Sequence, residues 1–87
     1  MIFSVKVIKE NFFNVYVYPE DHAPPHCHIR YKGHEAESIV GLPLLNLLAG
    51  PVLEKQIKKV LQNNLARLTQ KWEELNPTTI KQIEKKL

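Results

Sequence analysis

Apolar residues in the second half of the chain fall at Leu53, Ile57, Val60, Leu61, Leu65, Leu68, Trp72 and Leu75. Steps of three and four put all of them along one side of a helix about six turns long. A helix that is apolar on one side must lay that side on something, and in a chain of 87 residues only the first half can supply it. Gly50-Pro51 opens this helix, because a proline in the first turn surrenders an amide that would have no partner there. Asn76-Pro77 ends it and starts a short second helix with Ile80, Ile83 and Leu87 as its stripe.

The first half reads as β-structure. Residues 3–7 and 13–18 alternate with period two and are rich in β-branched and aromatic side chains, with Lys9-Glu10-Asn11 as the turn between them. Pro19 cannot donate to a sheet ladder and closes the second strand. A loop stiffened by Pro24-Pro25 follows. Residues 26–31 and 34–40 then form a hairpin through Lys32-Gly33, where glycine supplies the positive φ of a tight turn. A two-residue turn sets Arg30 opposite Glu35, His28 opposite Glu37 and His26 opposite Ile39, and sends Cys27 and Ile29 to the other face beside Ala36 and Ser38. One face of the sheet is thus ionisable, and the other is apolar and can cover the helical stripe. Pro43 and Asn46 interrupt the leucine-rich stretch that follows, which reads as a short extra strand over residues 44–48. The expected fold is a single α+β domain over residues 1–87: a small antiparallel sheet of about four strands packed against one long C-terminal-half helix followed by a short helix, with Trp72 in the core.

Composition narrows the setting. Cys27 is the single cysteine, which rules out an intrachain disulfide, and Met1-Ile2-Phe3-Ser4-Val5-Lys6 lacks a signal-peptide pattern, so the expected location is a reducing cytoplasm. The longest apolar stretch, residues 41–51, is too short and too proline-broken to span a bilayer, and no membrane association is expected. A net charge of +3 and a pI near 9.1 favour a polyanion such as RNA, or an acidic partner, only weakly. Lys55, Lys58, Lys59, Arg67 and Lys71 make a basic streak on the outer helix face, the ordinary reading of which is a solvated surface. Leu42, Leu44, Leu45, Leu47 and Leu48 exceed what a small core hides, which suits a partner-binding patch or a homodimer contact.

Chemistry concentrates in Asp21-His22-Ala23-Pro24-Pro25-His26-Cys27-His28, with His34 returning across the hairpin. Histidine is suited both to proton transfer near neutral pH and to transition metals. In an acid/base reading, His26, His28, His22 and Asp21 exchange protons while Arg30 holds a phosphate or other anion, and Tyr16 and Tyr18 join from the second strand. A carboxylate opposite His28 would favour its imidazolium and hold it ready as a proton donor. Metal-independent, ribonuclease-like cleavage needs only such a base, acid and cation. In a metal reading, His22, His26, His28 and Glu37 hold zinc. An H-x-H pair beside one cysteine lacks the second ligand pair of a finger and the helical H-E-x-x-H, so no cofactor is expected and zinc is the alternative. In the plainest reading the histidines are structural: His28 pairs with Glu37 and Arg30 with Glu35, each pair contributing tenths of a kcal/mol to about one, and the chain is a non-catalytic binding or regulatory module. Cys27 faces the core, where a cysteine behaves as a small hydrophobe.

These residues resemble the small bacterial domain-of-unknown-function family 4160. The likeness runs through Phe12-Phe13-Asn14-Val15-Tyr16-Val17-Tyr18, the D-H-x-P-P-H-x-H core from Asp21 to His28, Tyr31, Gly33 and Glu35-Ala36, and more loosely from Leu68 to Trp72. Carried over position by position, the family's characteristic residues here are Asp21, His22, Pro24, Pro25, His26, His28, Tyr31 and Glu35. Members look like components of small two-gene modules, some of them toxin candidates of toxin-antitoxin type. The resemblance implies a bacterial cytoplasmic protein with a cognate small antitoxin-like partner and names no reaction. The chain departs from the family after Val40, where Leu42-Pro43-Leu44-Leu45 replaces a more polar connection.

Overall fold

A computed structural model describes residues 4–19 and 24–77. It is an α+β fold of five strands followed by two helices: β1 (Val5–Lys9), β2 (Phe13–Val17), β3 (His26–Tyr31), β4 (Glu37–Gly41), β5 (Leu47–Ala49), α1 (Lys55–Asn63) and α2 (Leu65–Leu75). The sheet is an antiparallel meander in the order β1-β2-β3-β4-β5. Its core face carries Phe13, Val15, Val17, Cys27, Ile29, Ser38 and Val40, all buried. Leu53, just ahead of α1, and Ile57, Leu61, Leu68 and Trp72 of the helices close this face, along the stripe read from the sequence. Val60, Leu65 and Leu75 pack at its margin.

Val7 and Ile8 are neighbours in sequence, yet both are buried. A bulge between Lys6 and Ile8 makes this possible, because the extra residue resets the alternation along β1. The stripe is carried by two helices where the spacing alone predicted one. Asn64 breaks it: its backbone leaves the helical region at φ −116°, and its side-chain amide donates to the Val60 carbonyl at 2.8 Å. The Asn64 backbone N–H reaches the same carbonyl at 3.1 Å, so the asparagine side chain adds a second, local bond that holds the chain in this turn between the two helices. The helical region also begins later than Gly50-Pro51. Gly50 takes a φ of +87° and passes so close to β4 that a side chain there would strike the Glu37 carbonyl, while the Pro51 carbonyl accepts a 2.7 Å bond from the buried Ser38 hydroxyl. That bond ties the crossing segment to the sheet, and Lys55 begins the first turn. Asn76 caps α2 and donates to the Tyr18 carbonyl at 3.1 Å; the short helix expected beyond Pro77 lies outside the described residues.

The hairpin between β3 and β4 corrects the two-residue turn. Gly33 does have positive φ, +80°, and the His34 amide bonds back to the Tyr31 carbonyl at 3.2 Å. Three more residues are then spent before β4 begins. Arg30 consequently pairs with Glu37, His28 with Ile39 and His26 with Gly41. A slip of two residues keeps every side chain on its own face, where a slip of one would have exchanged them. Cys27 therefore remains in the core, with burial pushing its thiol up to about 12. At about pH 8 only some 10⁻⁴ of such a thiol is thiolate, so iodoacetamide should modify the folded protein at least ~10³-fold more slowly than the protein in denaturant. Equal rates in the two states would place Cys27 outside the core.

Candidate functional site on the open sheet face

The face turned away from the apolar core presents Lys6, Lys9, Asn14, Tyr16, His28, Arg30 and Glu37 from the four adjoining strands. Cations and aromatic rings interleave here. The Lys6 ammonium lies 5.8 Å and the Arg30 guanidinium 5.4 Å from the centre of the Tyr16 ring, within the range of a cation–π attraction.

Glu37 is the node of the site. One carboxylate oxygen accepts from His28 Nδ1, and the other accepts from Arg30 Nε at 3.4 Å. Both contacts follow from the corrected register, since Glu37 faces Arg30 across the ladder and reaches His28 on the diagonal. The carboxylate fixes the orientation of the His28 ring and puts its proton on Nδ1, so that in the neutral ring Nε2 carries the lone pair. Tyr18 packs its ring 4.4 Å from that of His28 and accepts from the Arg30 guanidinium at 3.2 Å. The Tyr18 oxygen first, and Glu37 with it, hold the Arg30 pKa above its ordinary value, which leaves a permanent cation at a position whose side chain is 54% exposed.

His26 has a different setting. It is only 5% exposed; its Nδ1 donates to the Pro24 carbonyl at 2.6 Å, and its ring lies 5.0 Å from those of both His28 and Trp72. The proline pair thus holds His26, and His26 in turn backs His28 against the core. His28 is the more accessible of the two, with 13% of its side chain exposed. Asp21 and His22 lie outside the described residues. Among those described, no three histidine, cysteine, aspartate or glutamate side chains come together as a metal site would require.

The long β3–β4 connection also creates a cavity of about 400 Å³ beside Glu37, lined by Asn14, Arg30, Lys32, His34, Glu35 and Glu37. The two-residue turn left His34 in a strand, and the pairing expected between Arg30 and Glu35 does not form in the ladder. Asn14 is the residue that sequence reasoning missed, and His34, noted there beside the other histidines, had no role in either reading of the site. The length of polar chain between Tyr31 and Glu37 was the available signal.

A meander sheet with one apolar face under two helices, and one ionisable face holding a histidine, carboxylate and arginine in contact, defines a small α+β domain with a polar sheet-face site. The chain belongs to the family described as a domain of unknown function, DUF4160, whose pattern matches residues 13–73, from the start of β2 into α2. No curated protein and no solved structure matches it. Among the described residues no helix is long and apolar enough to cross a membrane.

Proposed function

We propose that this protein is the toxin component of a bacterial two-gene toxin-antitoxin module and that it binds and cleaves RNA at the open sheet face without a metal. The observation that carries the chemistry is the Glu37 carboxylate held between His28 and Arg30. Such a grouping supplies the proton-transfer groups and the fixed cation that phosphodiester cleavage needs. The interleaved Lys6, Tyr16, Arg30 and Tyr18 favour a single-stranded polyanion, because cations follow a phosphate backbone and aromatic rings accept bases of any identity. The D-H-x-P-P-H-x-H resemblance supports the toxin role and the cytoplasmic setting. An exposed apolar patch at Leu44, Leu47 and Leu48 offers the antitoxin-like partner, or a second copy, a surface to cover. A non-catalytic regulatory module is the second reading, favoured by the burial of His26 against Trp72.

Expression of the chain alone in a bacterial host, and together with its neighbouring gene, separates the two. Growth arrest by the chain alone, relieved by the neighbour, is the expected result. Unrestrained growth at verified expression of the chain alone would reject the toxin role.

A further inference from the structure

We infer that Glu37 is the general base and His34 the general acid of RNA cleavage, with Arg30 and Lys32 of the same cavity on the scissile phosphate and His28 positioning the base. This assignment rests on the RNA-cleaving reading above and names the groups that would perform it. Glu37, Arg30, Lys32 and His34 line one cavity of about 400 Å³, a volume within the range of small-ligand sites. His28 approaches Glu37 from outside that lining, packed between Tyr18 and His26. A phosphodiester in the cavity therefore meets the carboxylate of Glu37 and the imidazole of His34, whereas His28 acts on it through Glu37.

Asn14, paired with Arg30 across β2 and β3, lines the same cavity and closes its β2 side with an uncharged polar group.

The chemistry balances without a metal or a co-reactant. Glu37 removes the proton of the ribose 2′-hydroxyl, and the O2′ lone pair forms the new bond to phosphorus. Arg30 and Lys32 compensate the charge that gathers on the non-bridging oxygens. The P–O5′ bond breaks with its electron pair going to O5′, and the His34 imidazolium delivers the proton that the leaving oxygen needs. The products are a 2′,3′-cyclic phosphate and a 5′-hydroxyl end. Glu37 finishes protonated and His34 neutral, and exchange with water restores both.

The test uses the full chain and two RNA oligonucleotides that differ at one cleavable linkage, oxygen-bridged or 5′-sulfur-bridged. A sulfur leaving group departs without protonation. His34→Ala should lose about 10²–10⁴-fold on the oxygen substrate and come within about tenfold of the unmodified protein on the sulfur one. Glu37→Gln should stay depressed by a similar factor on both, and a 2′-O-methyl version of the RNA should resist cleavage altogether. Because His34 is exposed, its replacement leaves the core untouched. Equal loss on both substrates, or no loss on either, would overturn the role of His34, and a fully active Glu37→Gln would overturn that of Glu37. Failure of the unmodified protein to cleave either substrate would overturn the ribonuclease reading itself and this assignment with it.

Discussion

Trp72→Ala is expected to lower the stability of the domain by about 3–5 kcal/mol, the cost of removing a large aromatic side chain from a core that cannot collapse around the gap. In a domain of this size each kcal/mol moves the melting temperature by several degrees, so the variant should melt roughly 15–30 °C lower. The residue is 1% exposed. It is the point at which α2, the sheet and the site meet, because its ring packs within the apolar core and also stands 5.0 Å from the His26 ring. Among the described residues the indole N–H finds no acceptor, so the side chain's contribution there is packing, reduced by one unsatisfied donor. Trp72→Phe should therefore cost much less, about 1–2 kcal/mol, because it keeps an aromatic ring and removes the orphan group. Chemical unfolding of the three proteins checks the order. An alanine variant within about 0.5 kcal/mol of the parent, in the range of a surface substitution, would show that Trp72 does not hold the core.

The elements that alternation and helical spacing specify were legible without coordinates, and the features that depend on a local competition were not. His26 to Tyr31 reads as a strand because β-branched and aromatic residues are bounded by a proline pair and a glycine, and β3 has those limits. The apolar stripe is legible because Leu61, Leu65 and Leu68 keep helical phase across Asn64. The same continuity hides the break there, which falls on a single residue, Asn64, whose side-chain amide shares the Val60 carbonyl with its own backbone N–H. Loop length in the β3–β4 hairpin was unreadable for a similar reason. Lys32-Gly33 satisfies the rule for a tight turn, but nothing in that rule says whether the ladder closes at once or three residues later. What fixes the longer loop is tertiary: Ser38 must reach both the Tyr31 hydroxyl at 2.6 Å and the Pro51 carbonyl. Each side chain keeps its face because the register differs from the two-residue turn by an even number of residues. The site was legible as a set of residue types on one face, while the pairing that organises it, Glu37 with both His28 and Arg30, required the true register.

Arg30→Ala, His28→Ala and His26→Ala are expected to separate stability from activity in a graded way. Arg30 is more than half exposed, and its bond to Glu37 is long; a solvent-screened pair of that kind contributes well under about 1 kcal/mol. Its replacement should leave the melting temperature nearly unchanged while cleavage falls by about 10²-fold or more, since a positioned cation acts on charge that exists only in the transition state. His26 is the opposite case. It is buried, bonded to Pro24 and packed on Trp72, so alanine there should cost about 2–3 kcal/mol through a cavity and a stranded carbonyl, with activity falling only as far as the folded fraction does. His28 stands between them. Alanine at His28 removes ring contacts with Tyr18 and His26, costing about 1–2 kcal/mol, and also frees one oxygen of Glu37. Cleavage by the fully folded variant should therefore fall through kcat, with KM little changed, because the phosphate still meets Arg30 and Lys32 while the base is no longer held in place. Thermal unfolding and cleavage kinetics on the three variants, measured side by side below the lowest melting transition, decide the matter. If activity per folded molecule equals that of the parent in all three, His26, His28 and Arg30 serve only the fold, and the roles given to Arg30 and His28 in cleavage fall.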